Sequence, residues 1–245
     1  MKIGITERGD AGLDLSWFDK LGSVDGAVII TKNLTSNNFK SKVLSVKEHI
    51  ILHCTCTGYG GSIVEPNVPV YKEQLDSLKQ LIDDGFPSSH VVLRIDPIFP
   101  SIKGLRRVKA VLDYFSSLNL GIRRIRISLI DEYSHVKERY RQLGIRPLYK
   151  GFSPSKEQVA LVAKFLSQYN FDFETCAEDY LCSLMPNANI VGCISKKDLK
   201  ILGIKEEDLS INPQHRTGCH CLSCKTELLT NKKQCPHKCI YCYWR

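Results

Sequence analysis

His49-Ile50-Ile51-Leu52-His53-Cys54-Thr55-Cys56-Thr57 and His90-Val91-Val92-Leu93-Arg94-Ile95-Asp96 are short apolar runs, with a helical pattern at residues 71–84 between them. Strand, helix, strand is the repeating unit of a parallel sheet, because parallel neighbours need a crossover. Successive strand residues point to opposite faces. In the first run Ile51, His53, Thr55 and Thr57 share one face, and Leu52, Cys54 and Cys56 share the other. In the second, Val92, Arg94 and Asp96 oppose Val91, Leu93 and Ile95. The apolar faces should meet helices and the polar faces should point into a barrel. Cys54 and Cys56 then read as small hydrophobes under a helix. His53, Thr57, Arg94 and Asp96 become candidate substrate-cavity residues.

The same alternation runs outward in both directions. Strands are expected at 2–6, 27–31, 49–57, 90–96, 124–130 and 171–176. Helices are expected at 15–21, 38–47, 71–84, 105–118, 135–143 and 155–168. The last helix should begin with Ser153 as cap and Pro154 at its first position, and Val159, Val162, Ala163 and Leu166 fit one of its faces. No Gly-rich dinucleotide turn is present, so the reading is an α/β fold, a partial or complete (β/α) TIM-like barrel. Its chemistry should sit where strands end. Residues 1–176 form the barrel core in this reading. Residues 177–245 form an irregular, basic, Cys-rich segment ordered by metal, which completes the barrel and carries the C-terminal cysteine motif.

Composition narrows the classes. The chain has 245 residues, 43% hydrophobic and 24% charged, which excludes disorder. No stretch approaches the length of a membrane span, and the first residues lack a signal-like apolar run. A cytoplasmic protein with no membrane partner is expected. Eleven cysteines in a reducing compartment point to metal rather than disulfides. The formal charge of +8 suits an anionic partner such as a nucleic acid. Arg123, Arg124 and Arg126 read as a solvated barrel bottom. Lys232, Lys233, Lys238 and Arg245 surround the last cysteines and are the better candidates for phosphate contacts.

Those last cysteines read Cys235-Pro236-His237-Lys238-Cys239-Ile240-Tyr241-Cys242. Three soft, anionic thiolates on one loop can hold three irons of a four-iron cluster and leave the fourth open. The C-x3-C-x2-C spacing, with an aromatic before the final cysteine, resembles the signature of radical S-adenosylmethionine (SAM) enzymes. Cys-Ile-Tyr-Cys-Tyr is similar to the subgroup containing spore photoproduct lyase. Ile29-Ile30-Thr31-Lys32-Asn33, residues 61–69 with Glu65, and Leu93-Arg94-Ile95-Asp96-Pro97-Ile98 resemble further segments of that subgroup in the same order. Gly4-Ile5-Thr6-Glu7-Arg8-Gly9-Asp10 looks like the segment that normally follows the cysteine loop and meets SAM. A circular permutation would place the loop last, with the first ancestral strand near 227–231.

The resemblance implies a [4Fe–4S] cluster on Cys235, Cys239 and Cys242, with SAM held by Thr6, Glu7, Lys32 and Tyr241. It implies reductive cleavage of SAM to a 5′-deoxyadenosyl radical, hydrogen abstraction from a substrate, and a cellular reductant such as flavodoxin or ferredoxin. The substrate expectation is a nucleic-acid base or nucleotide, repaired or modified. Cys176, Cys193, Cys219 and Cys221 match a second set, an auxiliary [4Fe–4S] cluster, while Cys182 and Cys224 are left over. No radical-relay residue is assigned. The alternative is a non-catalytic nucleic-acid-binding protein with a zinc ribbon on Cys221-x2-Cys224 and Cys239-x2-Cys242. It leaves Cys176, Cys193, Cys219 and Cys235 without a role. His220 and His237 read as exposed loop residues or donors behind the ligands.

Overall fold

A computed structural model describes residues 1–205, 219–230 and 235–244. Eight parallel strands form one sheet in the order β7-β6-β5-β4-β3-β2-β1-β8. They are β1 Ile3–Ile5, β2 Gly26–Thr31, β3 Ile50–Thr55, β4 Val91–Ile98, β5 Arg124–Leu129, β6 Asp172–Thr175, β7 Ala188–Ile190 and β8 Lys225–Glu227. Helices α1 Ser16–Lys20, α2 Asn37–Ser45, α3 Tyr71–Asp83, α4 Ile102–Ser117, α5 Ser134–Gln142, α6 Lys156–Leu166, α7 Asp179–Ser183 and α8 Lys196–Ile201 lie between them. The result is a barrel-like α/β core with a Cys-rich C-terminal region, as the alternation predicts. The strand near the C-terminus lies beside the first one, with Ile3 opposite Lys225 and Ile5 opposite Glu227. The sequence places that strand at 227–231; it lies slightly earlier, and residue 231 is outside the described residues. Among the described residues no ladder joins β7 to β8.

The period-two faces sort as expected. Leu52, Cys54, Cys56, Leu93 and Ile95 pack outward with Leu75, Leu78 and Leu112 of α3 and α4. The barrel interior is plugged by Ile3, Ile5, Val28, Ile51 and Val92, closed by Ile194, Leu199, Leu222 and Cys224. On α6, Val159, Val162, Ala163 and Leu166 are the buried face. Its cap is Ser155, in a reciprocal capping box with Gln158, not Ser153. The Ser153 hydroxyl is taken by Asp131 at 2.9 Å. Pro97, which has no N–H to give a ladder, sits where the β4–β5 register shifts between Ile95 and Ile98.

The barrel-bottom arginines correct the sequence reading. Arg123 is exposed, but Arg124 and Arg126 are buried. Arg124 donates to Glu174 at 2.7 Å and to Asp198 at 2.7 Å. Arg126 donates to Glu174 at 2.7 Å and to the Gly192 carbonyl at 2.7 Å. Positions 124 and 126 of β5 face inward, and charge survives there because carboxylates from β6 and α8 meet it. Burial raises the Glu174 carboxyl's pKa, but Arg126 and Arg124 outweigh it and hold it below its ordinary value.

Among the described residues no helix is long and apolar enough to cross a membrane.

Candidate metal centres

Two groups of cysteines lie at the same end of the barrel wall. The first is at the seam between β7 and β8. Cys176 follows β6, Cys193 follows β7, and Cys219 and Cys221 precede β8. The sulfurs of Cys176, Cys219 and Cys221 all lie within 4.8 Å of one another, a set able to hold a metal ion. Cys193 Sγ is 3.9 Å from Cys176 Sγ, and the Cys193 N–H donates to Cys221 Sγ at 3.3 Å. Gly192 permits this approach: a Cβ there would stand 2.4 Å from the His220 carbonyl oxygen. Ala177, next to Cys176, has φ 56°, a left-handed conformation that costs a non-glycine residue about 1–2 kcal/mol.

The second group is the C-terminal loop of Cys235, Cys239 and Cys242. Its sulfurs sense one another electrostatically but are not all within 4.8 Å. Three parts of the fold grip this loop. From the β3–α3 connection, Asn67 Nδ2 donates to the Pro236 carbonyl at 2.6 Å and Val64 accepts from Ile240 N–H at 3.0 Å. From α5, Arg139 donates to the carbonyls of Ile240 and Cys242, each at 2.9 Å. From the turn after β1, Asp10 meets His237 Nε2 at 2.9 Å, while His237 Nδ1 is 3.0 Å from the Asn67 carbonyl. Burial opposes both charges. Asp10 nevertheless raises the His237 pKa, and His237, Lys32 N–H and Thr31 lower that of Asp10. His237 is therefore buried, and His220 has Asp179 at 3.9 Å. Lys238, just before Cys239, again has a left-handed φ of 53°.

Glu65 is the hub beside this loop. It accepts from Lys32 Nζ at 2.9 Å, from Thr57 Oγ1 at 2.7 Å, and from the Tyr241 hydroxyl. Burial alone would raise its pKa; Lys32, Tyr241 and Thr57 bring it below the ordinary value. Lys32 also lies 5.5 Å from the Tyr241 ring centroid and opposes the rise that burial imposes on the Cys239 thiol, which is pushed up to about 12. Tyr241 is buried against Phe99, edge to face at 5.8 Å.

The remaining sequence candidates are distributed as follows. Thr6 is fully buried, and its hydroxyl takes the Ile30 N–H at 2.7 Å. Glu7 pairs with Lys225 and hydrogen-bonds the Cys193 side chain. Arg94 and Asp96 pair with each other. Both are within electrostatic reach of Glu7 or Lys32. His53 is fully buried, and neither ring nitrogen has a hydrogen-bond partner among the described residues. Burial, then Arg126, Arg94 and Arg124, push its pKa well below the ordinary imidazole value. Cys224 packs in the apolar plug of the barrel, which Cys193 also touches, and it is not part of the close set that Cys221 forms with Cys176 and Cys219. Cys182 lies on α7. Lys232, Lys233 and Arg245 fall outside the described residues.

Sequence reasoning missed the residues that hold the loop: Arg139, Asn67, and the role of Asp10 with His237. It also missed Tyr243, whose ring stacks on Tyr133 at 5.6 Å. Its hydroxyl lies within electrostatic range of Glu7, Asp96, Arg94 and Cys193.

No curated protein matches the chain. A family model described as a domain of unknown function, DUF1848, matches residues 19–244. That match takes in strands β2 to β8, the seam cysteines and the C-terminal cysteine loop, and the chain belongs to the DUF1848 family.

Proposed function

We propose that the chain is a radical SAM enzyme built on a circularly permuted barrel, with a [4Fe–4S] cluster on Cys235, Cys239 and Cys242. The observation that carries this reading is the loop itself. Three thiols, spaced wider than a single-ion set, sit where β1 to β4 end and beside the buried Lys32–Glu65–Tyr241 hub. Strand ends are where barrels of this class place their chemistry. The donor set fits the cluster: soft thiols, Cys239 buried and Cys235 and Cys242 half-buried, with the Lys32 ammonium favouring the anionic form of Cys235 and Cys239.

Cys235, Cys239 and Cys242 would hold the cluster, which, given one electron from a flavodoxin- or ferredoxin-like reductant, would supply reductive cleavage of SAM to methionine and a hydrogen-abstracting 5′-deoxyadenosyl radical. The protein's own residues have simpler tasks. Lys32 and Glu7 present opposite charges for the carboxylate and amino groups of SAM. Tyr241 fills the space beside the cluster and orients Glu65. Thr6 ties the Glu7 turn to β2. Arg94, Asp96, Thr57 and His53 line the path toward the interior. The net positive charge favours a nucleic-acid base or nucleotide as substrate.

The test is anaerobic reconstitution with iron and sulfide, then SAM and dithionite. The expected product is 5′-deoxyadenosine, formed slowly without substrate. A colourless, zinc-only protein that leaves SAM intact contradicts the reading. Salt-sensitive binding of oligonucleotides supports the substrate class, and no binding at low salt points to a small molecule.

A further inference from the structure

We infer that Cys176, Cys193, Cys219 and Cys221 hold one thiophilic divalent metal ion rather than a second iron–sulfur cluster, and that this ion clasps the barrel shut. The spacing of the sulfurs carries the first half. A tetrahedral ion with metal–sulfur bonds of about 2.3 Å sets its sulfurs about 3.8 Å apart. Cys176 and Cys193 stand at 3.9 Å, and Cys176, Cys219 and Cys221 lie within 4.8 Å of one another. In a four-iron cluster each thiolate takes a different iron and points away from the others, so its sulfurs stand well apart. Cys235, Cys239 and Cys242 do not close to 4.8 Å and have that wider character, whereas Cys176, Cys219 and Cys221 do close. Cys193 adjoins this three-sulfur set through Cys176 and Cys221 and would complete the tetrahedron by a small inward shift.

The surrounding backbone agrees. The N–H of Cys193 already points at Cys221 Sγ. Such a bond strengthens when the sulfur becomes a metal-bound thiolate.

Position carries the second half. β7 pairs with β6 and β8 pairs with β1, yet no ladder joins β7 to β8 among the described residues. At this gap the backbone of Gly192 abuts His220 and Cys221. Four metal–thiolate bonds would join the ends of β6 and β7 to the start of β8, where backbone pairing is missing. Cys193 also touches Glu7, so the clasp fixes one wall of the site proposed above. That last consequence rests on the radical SAM reading; the ion and the clasp do not.

The test uses the full chain carrying Cys235→Ala, Cys239→Ala and Cys242→Ala, purified without oxygen. The expected result is about one zinc or iron per chain, no acid-labile sulfide, and sulfur neighbours at about 2.3 Å by X-ray absorption. About four irons with matching sulfide, or no metal, overturns the single-ion site. Should that variant not fold, the unmodified protein answers. Metal in excess of sulfide by about one per chain supports the site, and equal amounts overturn it. Hydrogen exchange of Cys193→Ser tests the clasp. Amides of β7 and β8 should exchange about tenfold faster, with β3 unchanged; unchanged β7 and β8 overturn it. Failure to make 5′-deoxyadenosine touches none of these outcomes.

Discussion

The seam and the C-terminal loop both gather cysteines at the mouth of one barrel, but the fold supports them differently. The seam draws its thiols from three separate parts of the wall, after β6, after β7 and before β8, and packs them closely. The loop draws all three from eight consecutive residues and spaces them more widely, while side chains from the β1 turn, the β3–α3 connection and α5 hold it from outside. A site that joins distant segments is suited to closing a structure. A compact loop that the fold merely positions leaves one side open to a ligand.

The largest effect should come from the loop. Cys239→Ala is expected to abolish 5′-deoxyadenosine formation and most of the brown colour while leaving the seam metal in place. Retained activity would erase the distinction between the groups. Next comes the ion network beneath the seam. Glu174→Gln leaves Arg124 and Arg126 short of a buried partner and should cost about 3–5 kcal/mol in denaturant unfolding. Little change would mean water reaches these arginines. Asp10→Asn weakens the grip on His237 and should cost about 1–3 kcal/mol, read as iron lost from the loop on gel filtration with the seam metal unmoved.

Glu65 gives a pH signature. Its pKa is lowered in the fold, so its contribution is complete above the unfolded carboxylate value. It is lost as pH falls through the depressed folded value. Glu65→Gln should flatten that acid limb in a stability–pH series, and an unchanged limb would remove Glu65 from the hub. The smallest effect belongs to Cys182→Ser on α7, within about 0.5 kcal/mol and with metal content unchanged. Loss of metal would bring Cys182 into the seam.

The parts of this account that were legible in the sequence are those with a period. Alternation on β3 and β4 assigned Cys54 and Cys56 to the helix side and Arg94 to the interior, because a strand has only two faces. Helical spacing gave the buried face of α6. Interactions across long separations left no local mark. Arg124 and Arg126 look like solvated charge until Glu174 and Asp198 are brought to them from 50 and 74 residues away. His237 looks like an exposed loop histidine until Asn67 meets it across 170 residues. The strands β7 and β8, three residues each, are too short for alternation to register. Spacing along the chain groups Cys221 with Cys224, but Cys224, just before β8, packs in the apolar plug while Cys221 sits with the seam thiols.

The central claim is that the C-terminal loop carries an iron–sulfur cluster with one iron open to SAM. Low-temperature electron paramagnetic resonance of the dithionite-reduced protein, with and without SAM, tests it most directly. The account predicts a reduced four-iron signal whose g values move when SAM is added and which disappears in Cys239→Ala. No signal, or a signal indifferent to SAM, would contradict it.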